Sequence, residues 1–154
     1  MVATIAEISE TTTQFEFLKS VFNRQQKAFK NSPIPTAKER INNLAKLHKA
    51  LIKHKSALTQ ALSEDFGNRH SDVSTMNDIM LCLETIKYSS KRIKKWIKPS
   101  KPHVDIKLQP VAATVYYQPK GVVGIIAPWN FPFLIAVYKT APAILMGNSI
   151  ILKP

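Results

Sequence analysis

The 154-residue chain lacks several things, and each shortage excludes a class of protein. There is one cysteine, Cys82, so no intramolecular disulfide framework can hold the fold, and a reducing compartment suits it. Only 4 glycines are present, with no GxGxxG, so an ordinary dinucleotide-binding fingerprint cannot be claimed. His48, His54, His70 and His103 are scattered rather than set at metal-ligand spacing, and no metal site is expected. The first residues show neither a basic stretch nor a long apolar one, so no secretory signal is expected and the cytoplasm is the expected location. Acid is scarce: 10 Asp+Glu stand against 22 Lys+Arg, a net charge of +12.

What is present is a globular balance, 45% hydrophobic and 21% charged, at the length of one ordinary domain. The charge is unevenly spread. Residues 111–154 hold only Lys120, Lys139 and Lys153, no acid, and three of the four glycines. The chain stops at Ile-Ile-Leu-Lys-Pro, in what reads as core, so the expectation is an incomplete, truncated fold.

Residues 1–13 are polar and Thr-rich and are expected to be a flexible N-terminus. Residues 14–103 read as a helical region. Phe15, Leu18, Val21, Phe22 and Phe29 recur at helical spacing, and Pro33 and Pro35 break that helix. Thr36 and Glu39 form a capping-box pattern, followed by a stripe of Ile41, Leu44, Leu47, Leu51, Leu58 and Leu62 that Gly67 should cap. A third helix is expected from about Ser71 to Ile97. Its last turns are rich in lysine, which reads as a solvated basic helix end complementing the macrodipole. A phosphate-binding patch for nucleic acid is the alternative, and neither aromatic interleaving nor helix-turn-helix spacing supports it.

From Val104 the period changes to two. Val104, Ile106 and Leu108 alternate with Asp105 and Lys107, and 114–118 is β-branched and aromatic, so 104–118 predicts a β-hairpin. Alone it would be marginal and should lean on another sheet or subunit. Residues 121–138 form an uncharged run of 18, but Pro128, Pro132 and Asn130 in its middle argue against a membrane span. A βαβ unit fits better: a strand at 122–127, a helix with Pro132 at its first position, and a strand at 149–152 parallel to the first. Ligands of open parallel sheets sit beyond the carboxyl ends of the strands, where Asn130 and Lys153 should meet. A nucleotide-like site and plain packing both remain compatible with this much.

Residues 118–132, QPKGVVGIIAPWNFP, closely resemble the PWN[FY]P signature of NAD(P)-dependent aldehyde dehydrogenases. The likeness continues through Ala143 and Gly147-Asn148 to Leu152-Lys153-Pro154. Upstream, Arg40, Leu44 and Leu47, the Asp65-Phe66-Gly67 ending and residues 94–100 are similar to the branch holding coniferyl aldehyde dehydrogenases and fatty-aldehyde-type enzymes. The resemblance implies an α/β fold: N-terminal helices, a hairpin of oligomerisation-type strands at 104–118, and at 119–154 the first βαβ unit of a Rossmann-like NAD(P)-binding domain. It implies that Asn130 supplies an oxyanion-hole amide. Ile126, Ala127, Pro128 and Trp129 would line the nicotinamide side, and Lys153 would bond the adenosine ribose. The implied cofactor is NAD or NADP, with NAD favoured. The implied reaction oxidises an aromatic or long-chain aldehyde to a carboxylic acid through a cysteine thiohemiacetal. The implied nucleophile and general base lie outside these residues, so the fragment itself is expected to be inactive and either a homodimer or aggregation-prone. Cys82, among apolar mid-helix residues, is assigned no catalytic role. The alternatives are a stand-alone basic helical module that binds nucleic acid or an anionic surface, and an interaction module that docks on a protein partner.

Overall fold

The computed structural model describes the backbone of residues 5–154 and the side chains from residue 13 onward. Of the expected flexible N-terminus, residues 1–4 lie outside the described residues. Helix α1 runs Ile5–Asn31, starting earlier than the Gln14 that apolar spacing predicts. Pro33 and Pro35 separate it from α2 (Ala37–Lys53). The capping box forms: Glu39 N donates to Thr36 Oγ1 at 3.2 Å and Thr36 N donates to Glu39 Oε2 at 2.7 Å. The backbone bond from Thr36, helped by its hydroxyl, holds the Glu39 carboxyl below its ordinary value.

The long stripe expected after Thr36 is two helices, since α2 stops at Lys53 and α3 (Lys55–Asp65) restarts after His54. Gly67 and Asn68 end α3, both at positive φ, 65° and 66°. The expected third helix is continuous but irregular. It comprises α4 (Ser71–Ser74), a π-helical stretch (Thr75–Met80) and α5 (Leu81–Trp96). Asp78 lies in the widened stretch, fully buried, and Arg69 Nη2 donates to its Oδ2 at 2.8 Å.

The core is where α2, α5 and α6 (Pro132–Leu145) meet. Leu44 and Leu51 come from α2, Cys82, Ile86 and Ile93 from α5, and Val137, Ala141 and Leu145 from α6. Burying each large aliphatic side chain there stabilises the fold by about 1.5–3 kcal/mol. Among the described residues, no helix is long and apolar enough to cross a membrane.

Residues 104–118 correct an expectation. No hairpin forms; Ile106–Leu108 is a 3-10 turn whose entry Asp105 caps by accepting from Lys107 N at 2.8 Å. The segment is tied down by one antiparallel bridge, Ser100 to Val115. The alternating pattern is real, but among the described residues no sheet lies beside it, and an unpartnered two-stranded ribbon is marginal in water.

The βαβ unit is present. Strands β1 (Val122–Ile126) and β2 (Ser149–Lys153) pair in parallel, from Val122 with Ser149 to Ile126 with Lys153. Helix α6 crosses between them, opening on Pro132 as expected and tolerating Pro142 inside. Both α1 and α6 pack on the strand pair, and Gln25 Nε2 of α1 donates to Ile150 O at 3.0 Å. The return from α6 to β2 is tight. Gly147 has φ 87°, and a Cβ there would lie 2.8 Å from Pro119 and 3.0 Å from Pro35. Asn148 Oδ1 accepts from Lys120 N at 2.7 Å and Gly121 N at 3.1 Å, while its Nδ2 donates to Ala143 O at 3.2 Å.

Asn148→Ala removes the acceptor of those two strand-entry N–H groups, one exposed and one partly buried, and should lower the unfolding free energy by about 1–2 kcal/mol, read from urea midpoints at unchanged m-value. A loss below about 0.5 kcal/mol, the scale of an ordinary surface change, would mean that other groups hold the corner. Cys82 yields a second expectation. Burial, then the nearby Asp78 carboxylate, pushes its thiol from 9.0 up to about 12. Native protein should therefore leave Cys82 unreactive toward Ellman's reagent at mildly alkaline pH, and urea should release one thiol equivalent. Because the folded value is the raised one, this stabilisation is complete below pH 9.0 and declines as pH climbs towards about 12. A native thiol that reacts at the rate of free cysteine would contradict the burial.

Candidate functional site

The parallel register decides what comes together. Ile126 pairs with Lys153, so both strands stop at the same level. Ala127 N then donates to Lys153 O at 3.0 Å, carrying the ladder one residue further. Pro128, Trp129 and Asn130 therefore leave the sheet at its carboxyl edge beside Lys153. Helix α6 opens at the same place. Its N-cap residue, Phe131, offers no side-chain cap, Pro132 follows, and the first turn holds no acid. The backbone N–H groups of Phe133 and Leu134 thus give this end a positive, donor-rich character.

An open cleft of about 750 Å³ lies at this edge. Ala127, Pro128, Trp129 and Pro132 line it from the β1–α6 connection, and Lys153 and Pro154 from β2. Trp129 is 85% exposed and Ile126 78%, whereas Ala127 is buried under the loop. Asn130 is exposed, and its amide makes no hydrogen bond to another described residue. The Lys153 side chain is exposed too and forms no ion pair among the described residues. Of the six residues singled out in the sequence, Ala127, Pro128, Trp129 and Lys153 line the cleft, while Ile126 and Asn130 flank it.

Two lining residues escape sequence reasoning. Asp65 and Phe66, at the end of α3, complete the cleft. In sequence they read as a helix stop and as part of the family likeness, with no site role, because no local pattern tells which element a helix end will face. Their placement has a visible support. The Arg69 guanidinium carbon sits 4.7 Å from the centre of the Phe66 ring, and Nε and Nη2 of the same side chain donate to Ser74 Oγ at 3.0 Å and Asp78 Oδ2 at 2.8 Å. One buried carboxylate thereby fixes the cation that backs an aromatic wall. Cys82 takes no part; it lies buried in the helical core, and its protonated thiol cannot serve as a nucleophile near neutral pH.

Such an edge presents an ammonium group, an unengaged carboxamide, helix N–H donors and an exposed indole. These are suitable groups for a polar, phosphate-bearing ligand with a flat ring. A family model described as the aldehyde dehydrogenase family matches residues 3–154. The chain is 38% identical over 153 residues to a probable coniferyl aldehyde dehydrogenase of Pseudomonas aeruginosa, a match covering 99% of this chain and 32% of that one. It is 33% identical over 139 residues to the coniferyl aldehyde dehydrogenase of a Pseudomonas species, covering 90% and 28% respectively. The solved structure of substrate-bound Staphylococcus aureus AldH superposes with a TM-score of 0.83 at 28% identity, over 89% of this chain and 30% of that one. The chain thus spans about a third of the length of the curated relatives it matches. With the signature loop, the parallel βαβ unit and a match along nearly its whole length, the chain belongs to the aldehyde dehydrogenase family.

Proposed function

We propose that these residues form the cofactor-edge portion of an enzyme that oxidises an aldehyde to a carboxylic acid with NAD or NADP, NAD being favoured. The observation that carries this is the register of β1 against β2, which puts Lys153 beside Ile126 at the edge where Trp129 and Asn130 emerge. The cleft fits such a group: it is open, about 750 Å³, floored by a free ammonium and flanked by an exposed indole. Lys153 would offer its three donors to hydroxyl or phosphate oxygens, and Ile126, Ala127, Pro128 and Trp129 would hold the ring side by apolar contact. When bound, the cofactor supplies a hydride acceptor.

The role proposed for Asn130 is electrostatic. Its amide N–H would meet the oxygen that becomes negative when a thiolate adds to the aldehyde carbon, and such a donor contributes about 3–4 kcal/mol in the transition state. The thiolate must come from outside these residues, since the only cysteine here is buried and protonated. The chain alone is therefore proposed to be catalytically inactive. Similarity to enzymes named for coniferyl aldehyde favours aromatic aldehydes, with long-chain ones next. Assembly as a homodimer, through residues 104–118, and a cytoplasmic setting belong to the same proposal; the exposed Ile106, Leu108 and Tyr116 support the first, and the single unpaired cysteine supports the second.

Incubating the 154-residue chain with coniferyl aldehyde and NAD+ or NADP+ should give no reduced cofactor above the blank, and turnover there would end the proposal of inactivity. Residues 1–154 joined to the downstream part of the Pseudomonas aeruginosa relative should restore oxidation. In that chimera Asn130→Ala should lower kcat roughly 100- to 1,000-fold with little change in the cofactor KM. Lys153→Ala should instead raise the cofactor KM. Full activity in Asn130→Ala would remove that residue from the chemistry.

A further inference from the structure

The outer face of α5 is used by nothing described so far. Between Glu84 and Asp105 every charged residue is basic, and Lys87, Lys91, Arg92, Lys94, Lys95 and Lys98 are all exposed. None forms an ion pair with a described residue. The inner face of the same helix carries Cys82, Ile86, Ser89 and Ile93, all buried. Packing against α2 and α6 therefore fixes the rotation of the helix and holds the cations outward on successive turns. Like charges crowded this way repel one another, and the only acid on α5, Glu84, lies at its opposite end.

The aromatic interleaving found missing from the sequence is in fact present, because two exposed aromatic residues are set among these cations. Tyr88 is 53% exposed and Trp96 39%, with ring centroids 6.1 Å apart and the planes tilted by 47°. The Arg92 guanidinium carbon lies 3.7 Å from the centre of the Tyr88 ring. Each aromatic side chain has an apolar body and a polar tip, the combination that rests at a boundary between water and lipid headgroups.

We propose that the exposed face of α5 docks on an anionic phospholipid surface, with the helix lying in the plane of the headgroups. The lysines meet the negative headgroup oxygens, and Tyr88 and Trp96 sit at headgroup level. Charge complementarity selects this occupant. A second copy presenting the same face would set one row of cations against another. A nucleic acid backbone carries the same sign of charge, but it offers Tyr88 and Trp96 no apolar boundary to rest at, whereas a headgroup layer does.

The test is co-flotation of the full 154-residue chain with vesicles of phosphatidylcholine alone or mixed with phosphatidylserine. Binding is expected only to the mixed vesicles and should weaken steeply with added salt. Each cation near such a surface is worth roughly fivefold in affinity, so Lys91→Gln/Lys94→Gln/Lys95→Gln should bind about 100-fold more weakly. The control Lys19→Gln/Lys27→Gln/Lys30→Gln, on α1, removes the same charge and should change binding far less. Helical circular dichroism checks that both variants stay folded. A third readout avoids charge variants. In a Trp129→Phe chain the Trp96 emission should shift to the blue on mixed vesicles and stay unshifted on neutral ones. Equal binding to neutral vesicles, equal loss in the α1 control, an unshifted Trp96 emission, or tighter binding to duplex DNA than to mixed vesicles at the same salt would each overturn the proposal.

Discussion

The corner between α6 and β2 is the constraint from which the site follows. At Gly147 the chain turns with a positive φ in a space that Pro119 and Pro35 leave too small for a Cβ. One residue on, the Asn148 carboxamide acts in two directions. Its oxygen accepts from the two N–H groups that lead into β1, and its nitrogen donates to the helix that has just ended. Strand entry and helix exit become one hydrogen-bonded unit, and Ser149 N continues it by donating to Gly121 O at 2.9 Å. With both strands fixed at their starts and equal in length, their ends must coincide. That is why Ile126 and Lys153 stand abreast and the Trp129–Asn130 loop opens beside an ammonium group.

The helices serve this unit by gripping α6. Leu44, Ile86, Ile93 and Leu145 close a core of α2, α5 and α6, and α6 also packs on both strands, so it links the helices to the strand pair. Buried Arg40 adds a polar link: its Nε donates to Pro35 O at 2.8 Å, and its Nη1 lies 3.5 Å from Leu145 O near the carbonyl end of α6. A cation placed there complements the helix dipole, which offsets part of the cost of burying it. At the other end of the unit, the Asp78–Arg69 pair braces Phe66 against the cleft. The helical region thus shapes one wall of a site whose donors come from the βαβ unit.

How much of this could be read in the sequence depended on how local the cause was. The Thr36–Glu39 box, Pro132 at a helix start and Gly67 at a helix end are decided within four or five residues, and each appears as expected. The parallel pairing was legible too, because an apolar strand, a proline-opened helix and a second apolar strand leave few other arrangements. The misses have non-local causes. Residues 104–118 carry a strand pattern, yet strands need a neighbour, and the residues described here supply only Ser100. The break at His54 and the π-helical stretch at Thr75–Met80 occur with no Gly or Pro to announce them and leave the apolar periodicity almost unchanged. Asp65 and Phe66 joined the cleft only once the helices had been folded against the sheet.

The exposure of Asn130 sharpens what its proposed role requires. A carboxamide in water already hydrogen-bonds the solvent, so turning to a developing oxyanion replaces one good partner with another and yields little net energy. The several kcal/mol ascribed to oxyanion donors arise in a water-excluded site, where the donor is held in place and the local dielectric is low. In this chain Asn130 has neither cover nor a hydrogen bond to another described residue, and its neighbour Trp129 is the most exposed large apolar side chain among the described residues. The β1–α6 loop therefore provides the correct groups at the correct edge without the environment that makes them effective. On the proposed reading, whatever brings the nucleophile must also bury this loop, because the two contributions are worth little apart. That coupling explains physically how a stretch can carry the family's signature residues and still be expected to lack turnover.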